Sequence, residues 1–288
     1  MEPICAALDI PPSTYYAAKR RAAVPSDRAA RDEELKRQIM AVWDQPGMGN
    51  RIYGARKIWR ELNDSGVVVG RCTVERLMRA LGIAGVGTPA KTPRTTVPAA
   101  PGTVEQPADL LERDFDAERP NERWVADITY VPTASGWCYT AFVMDLYSRG
   151  IVGWAVAGHL RADLALDALE MGIWSRRNRI GGRLVHHSDR GVQYTSINYT
   201  GRLDELGAAR SVGSKGDSYD NAAAEALNSL YKRELIDLHG PWNGIADVTR
   251  ATMEWVEWYN SERLHSYCHN VPPFKYEEEF YQRHQTAA

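Results

Sequence analysis

Three short apolar runs, at residues 124–131, 138–146 and 150–156, succeed one another with only Pro132-Thr133-Ala134-Ser135-Gly136 and Tyr147-Ser148-Arg149 between them. Runs of this length read as strands, and connections this short join strands as antiparallel neighbours. From Trp124 onward the chain is therefore committed to a sheet. After Gly158 the period turns helical, with Leu164, Leu166, Ala168, Leu169 and Ile173 inside a helix expected over 162–177. Arg183-Leu184-Val185-His186 follows as a strand reached through a crossover helix, which sets it parallel to the first. A helix near 196–206, a short strand around 209–212, a glycine-containing loop and a long helix over about 218–235 complete the series.

Strand, strand, strand, helix, strand, helix, strand, helix is the element order of a ribonuclease H-like α/β fold with a mixed five-stranded sheet. The residues before it obey another period. Residues 1–30 read as a helical lead-in, broken at Leu8-Asp9-Ile10-Pro11-Pro12 with Ser13 as a helix cap. Over 31–85 the spacing predicts three short helices. Leu35, Ile39 and Val42 mark the first, which Pro46-Gly47-Met48-Gly49 stops. Residues 55–62 form the second, and residues 72–81 the third, burying Val74, Leu77, Met78 and Leu81. Arg71, Arg76 and Arg79 lie on the other faces of that third helix. Pattern alone allows a helix-turn-helix module, whose last helix would enter a DNA groove, or a small helical bundle with a charged surface.

Residues 86–120 form a linker and lead-in, with Pro89, Pro93, Pro98, Pro101 and Pro107 disfavouring helix interior and central strand. Residues 121–240 carry the sheet-forming core and 241–288 a C-terminal helical extension. A length of 288 residues and 44% apolar content suit two domains. The net charge of −2 hides a division. Residues 1–95 hold 16 Lys and Arg against 10 Asp and Glu, whereas residues 121–288 hold 17 against 21. The basic end is the one suited to phosphates. No apolar run approaches a membrane span, no signal-peptide layout opens the chain, and Cys5, Cys72, Cys138 and Cys268 form no Cys-x-x-Cys pair. The expectation is a cytoplasmic protein with reduced thiols.

Three carboxylates carry the chemistry. Asp127 stands mid-strand, where a buried carboxylate is costly unless it binds a cation or finds hydrogen-bond donors. Asp189 follows directly on the fourth strand, beside the first, and Glu225 comes from the last helix with 35 residues between the two. Helical spacing groups Asn221, Glu225, Asn228 and Lys232 on one face, with Leu227, Leu230 and Tyr231 opposite. Three ionised carboxylates repel one another, and Mg²⁺ or Mn²⁺ resolves this. Two such ions roughly 4 Å apart clamp an in-line displacement at a phosphodiester. Asp145 remains an alternative to Asp127, and Asp217 or Asp220 an alternative to Glu225.

Other motifs carry less. His186-His187 point to opposite faces of a strand, so at least one is structural. His265, Cys268 and His269 lack a companion cluster for zinc. Gly213-Ser214-Lys215-Gly216 does not meet the phosphate-loop pattern, and no Gly-x-Ser-x-Gly elbow exists, which disfavours nucleotide hydrolysis and serine esterase chemistry.

Five separated motifs resemble a bacterial insertion-sequence transposase, specifically the second reading frame of the insertion-sequence-three family. They are Tyr53-Gly54-Ala55-Arg56-Lys57-Ile58, Trp124-Val125-Ala126-Asp127-Ile128-Thr129-Tyr130, His187-Ser188-Asp189-Arg190-Gly191-Val192-Gln193-Tyr194, Ser218-Tyr219-Asp220-Asn221-Ala222-Ala223-Ala224-Glu225 and Tyr259-Asn260-Ser261-Glu262-Arg263-Leu264-His265. The resemblance implies an integrase-like catalytic core acting as a polynucleotidyl transferase on double-stranded DNA. Asp127, Asp189 and Glu225 take the metal-ligand positions for two Mg²⁺ or Mn²⁺ ions, and Lys232 takes a basic position near DNA ends. Arg71, Arg76 and Arg79 are the expected DNA contacts of the helical module. The resemblance further implies action as a fusion with, or alongside, the upstream-frame product, and a homo-oligomer in the complex that pairs two ends. After His265 the sequence departs from the family's usual Leu-Gly-Tyr segment, reading Ser266-Tyr267-Cys268-His269-Asn270-Val271-Pro272-Pro273.

Overall fold

The computed structural model describes residue 7 and residues 11–23, 26–87, 109–111, 114–189, 191–213 and 221–285. Cys5, most of the proline-rich linker, Arg190, Asp217 and Asp220 lie outside these. The chain divides into two compact units between Gly87 and Thr88.

The first unit is all helix: α1 (Pro12–Ala23), α2 (Asp27–Trp43), α3 (Ala55–Asp64) and α4 (Arg71–Leu81). Ser13 is not the cap expected from the sequence. The helix opens at Pro12, whose fixed φ and missing N–H suit a first helical position, so Ser13 lies inside the first turn. Ser26 caps α2 instead, its hydroxyl accepting from the Ala29 N–H at 3.3 Å. Leu35, Ile39, Val74, Leu77 and Met78 are buried at the helical spacing read from the sequence, joined by Ile58 and Leu62 of α3, whereas Val42 and Leu81, at the ends of their helices, are only partly buried. Gly82, at φ +68°, ends α4 in the left-handed conformation that costs glycine nothing.

In the second unit β1 (Arg123–Thr133), β2 (Gly136–Asp145) and β3 (Ile151–Ala157) form the antiparallel meander. After α5 (Ala162–Arg176), β4 (Val185–Ser188) returns parallel to β1; after α6 (Ile197–Leu206), β5 (Ala209–Val212) returns parallel to β4. The sheet order is β3-β2-β1-β4-β5. Alternation along β1 sends Trp124 and Ala126 into a core with Ala141, Val143, Leu164, Leu169 and Tyr199. There α5 lies flush on the sheet: a Cβ at Gly153 would stand 2.0 Å from the carbonyl oxygen of Ala168.

The opposite face is covered by α7 (Ala222–Tyr231) and α8 (Ile245–Ser261). Phe142 of β2 meets the rings of Tyr231 at 5.0 Å and Trp255 at 6.2 Å. The helix expected to run unbroken to 235 changes character after Tyr231. It widens into a π-helical turn, Lys232–Ile236, because Glu234, Leu235 and Ile236 are all buried. Three consecutive residues sweep too wide an arc for one face of a regular α-helix.

Much of the motif 259–265 holds the C-terminal helices in place. Asn260 brackets the backbone of Ile151, accepting from its N–H and donating to its carbonyl oxygen, both at 2.9 Å. Arg263 grips Glu234 of the π-helical turn with two bonds, Nε to Oε2 at 2.8 Å among them, and both side chains are buried. A last helix, α9 (Pro273–Gln285), carries Glu277, which pairs with buried Arg176 of α5.

Candidate active site

The site starts from a register. β1 and β4 run parallel with Trp124 beside His186, Val125 beside His187 and Ala126 beside Ser188. One step further sets Asp127 beside Asp189, the first residue past β4. Asp127 lies directly opposite Phe142 on β2, so its side chain belongs to the α7 face of the sheet. There Asn228 of α7 donates from Nδ2 to Asp127 Oδ2 at 2.8 Å, and the Ile128 N–H reaches Oδ1 at 2.9 Å. Asn221, one turn before Glu225, donates to the carbonyl oxygen of Ala126 at 3.3 Å. The polar stripe of α7 thus meets β1 at the position of the aspartate.

Asp189 is shaped by the loop that follows it. The Gly191 N–H donates to Asp189 Oδ1 at 2.9 Å, and a Cβ on Gly191 would itself lie 2.9 Å from that oxygen. Only glycine lets the backbone come this close. Tyr194, to which sequence reasoning gave no role, is buried beside the pair, and its hydroxyl makes no hydrogen bond among the described residues. Its place in the run 187–194 was the available signal.

Electrostatics sets this region apart. Burial pushes the Asp127 carboxyl up to about 7, and the charges of Asp189 and then Glu225 push the same way, against the hydrogen bonds from Ile128 and Asn228. Burial also raises Asp189, opposed by the Gly191 N–H and by His187. The phenol of Tyr194 is raised by burial and by both aspartates. Glu225 is exposed on the first turn of α7, and its charge reaches Asp127. Among the described residues no three His, Cys, Asp or Glu side chains close on one point tightly enough to grip a metal ion. The donor chemistry nonetheless fits a hard divalent cation: carboxylate oxygens from a strand, the end of its parallel neighbour and a helix, repelling one another, with amides rather than a cation bonded to Asp127.

The remaining candidates separate. Asp145 is a turn residue, accepting from the N–H groups of Tyr147 at 2.9 Å and Ser148 at 3.0 Å and from that of Asn121. Lys232 stands with its Nζ 4.1 Å from the centre of the Tyr130 ring, at the far end of β1. His186 meets the Tyr199 hydroxyl at 3.0 Å, and burial pushes its pKa down to about 3; His187 meets Ser211 Oγ at 2.8 Å. Cys268 donates to the carbonyl oxygen of Ser148, and Cys72, Cys138 and Cys268 are free thiols. In the first unit, Arg71 pairs with Glu75 and Arg76 with Asp32, while Arg79 is exposed.

Known proteins match both units of the chain. Residues 117–218 and 206–273 match models of the integrase core domain, and residues 30–91 match an HTH-like domain. The chain is 48% identical to the putative transposase for insertion sequence element IS986/IS6110 of Mycobacterium tuberculosis (strain CDC 1551 / Oshkosh), over 98% of this chain and 99% of that protein. It belongs to the insertion-sequence transposase family. This transposase is also 44% identical to that of IS629 from Shigella sonnei, over 97% of this chain and 92% of the relative. With transposase InsF for insertion sequence IS3A of Escherichia coli it shares 33% identity over 95% and 92%. Among solved structures, the HTLV-2 integrase catalytic core domain in complex with magnesium aligns with 56% of this chain and 98% of its own, at 14% identity and a TM-score of 0.43. The family and the helix-turn-helix-like domain together make this a DNA-binding transposase. Among the described residues no helix is long and apolar enough to cross a membrane.

Proposed function

We propose that this transposase is a divalent-metal-dependent polynucleotidyl transferase that cuts at the ends of its element and joins the freed 3′-hydroxyls to target DNA. The observation that carries the reading is the register that sets Asp127 beside Asp189, two partly buried carboxylates with Glu225 within electrostatic reach. Asp127, Asp189 and Glu225 would hold Mg²⁺ or Mn²⁺, two ions in all. Bound there, such ions activate the attacking oxygen and neutralise the leaving one in an in-line displacement.

The chain's own residues prepare that site. Asn228 and the Ile128 N–H fix both oxygens of Asp127, and the Gly191 N–H fixes one oxygen of Asp189. No protein nucleophile is required, since water or a 3′-hydroxyl attacks by the same geometry. Lys232, and in the helical unit Arg71, Arg76 and Arg79, contact DNA phosphates. The upstream-frame product supplies further end recognition, as fusion or partner, and two or more copies pair the ends in the cytoplasm.

The test is strand transfer of an oligonucleotide bearing the element's terminal repeat, in Mg²⁺ or Mn²⁺. Asp189→Asn and Glu225→Gln are expected to abolish joining while far-ultraviolet circular dichroism stays unchanged. Joining at the wild-type rate by either variant would remove that residue from the site.

A further inference from the structure

The N-terminal unit holds a cleft of about 630 Å³ between the N-terminal part of α2 and the first turn of α4. Arg28 and Arg31 face it from α2, Arg76 from α4, and Gly70 and Thr73 close its α4 end. Two of the guanidiniums are already oriented by the fold. Arg31 donates to the carbonyl oxygen of Val68 at 3.3 Å, and Arg76 to Asp32 Oδ1 at 2.8 Å. One such bond occupies a fraction of arginine's N–H donors, so each group is held and can still donate.

Asp32 also lines the cleft and repels anions, which is the main argument against a site here. Three arginines against this one carboxylate leave positive charge in excess. The end of α4 adds to it. Gly70 caps the helix without a side-chain acceptor, and no acidic residue occupies the first turn. The N–H groups of Thr73 and Val74 return to the Gly70 carbonyl oxygen, whereas those of Arg71 and Cys72 have no acceptor within the helix. Val68, 81% exposed, supplies an apolar rim.

We propose that this cleft seats a phosphodiester group of the DNA backbone, making Arg28 and Arg31 DNA-positioning residues beside α4. The proposal rests on the reading of this unit as DNA-binding. A phosphate held at this point fixes the angle at which α4 meets the duplex and carries no sequence information itself.

The test uses the full chain and two labelled duplexes, one carrying the terminal repeat and one of mixed sequence, titrated with salt. Arg28→Gln and Arg31→Gln are each expected to lower the slope of log affinity against log salt by about 1 and to weaken both duplexes by the same factor. Slopes equal to wild type in folded variants would overturn the proposal. So would a loss confined to the terminal repeat, which would assign the arginines to base recognition. Should Arg31→Gln disturb the fold by releasing Val68, exposed Arg28 decides alone. A wild-type protein with no salt dependence would instead defeat the DNA-binding reading of the unit, and this proposal with it.

Discussion

Glu234, buried, and Asp127, partly buried, stand in the same unit in opposite electrical circumstances. Glu234 is gripped on both oxygens by Arg263, itself buried and seated near the rings of Trp258 and Tyr259. Asp127 has amide donors and two further carboxylates for company. A buried charge gripped by a buried cation is part of the frame, whereas a carboxyl bonded by amides and raised by neighbouring carboxylates is suited to bind something from outside. The motif 259–265 and the motifs 124–130 and 187–194 are equally prominent in the sequence. The structure separates them by the kind of donor each carboxylate meets, a guanidinium at Glu234 and amides at Asp127.

The largest effect on stability is expected at the matched pair. Arg263→Met leaves Glu234 buried without its cation and should cost about 3–5 kcal/mol in urea unfolding, most of it recovered when Glu234→Met is added. A loss under about 1 kcal/mol would mean the pair is not the frame described here. Next comes the backbone that shapes the carboxylate site. Gly191→Ala drives a Cβ against Asp189 Oδ1 and Gln193 Oε1, and displacing that carboxylate should slow joining, by about a hundredfold if it moves by about 1 Å, with the unfolding midpoint nearly unchanged. Normal joining by Gly191→Ala would show that the close approach serves the loop and not the carboxylate.

The carboxylate region was the more legible in sequence. Alternating apolar runs and short connections declare the meander, and the handedness of a crossover helix brings β4 beside β1, so the meeting of Asp127 and Asp189 follows from local pattern. Helical spacing alone put Asn228 on the stripe with Glu225. The matched region was not legible, because its bonds join residues 29 positions apart, Arg263 to Glu234, with no periodic signal between them. The π-helical turn stayed hidden for the same reason, since it follows from burying three consecutive residues. The link from Arg76 to Asp32, 44 positions apart, likewise has no periodic signal, and it shows that one expected DNA contact is held in place within its own unit.

The central claim is that the carboxylates around Asp127 are a cation site, and its direct measurement is the thermal midpoint of wild type and Asp127→Asn at pH 8, in chelator and then across a Mn²⁺ titration. The folded pKa of Asp127, about 7, lies above its ordinary 3.8. Stability is therefore lost as pH rises between these values, and at pH 8 the full penalty is present. In chelator Asp127→Asn should melt above wild type. Mn²⁺ should then raise wild type, by about 2.7 kcal/mol of added stability at a hundred times its Kd, and leave the variant flat. A wild-type midpoint indifferent to Mn²⁺, or an Asp127→Asn variant less stable in chelator, would contradict the account.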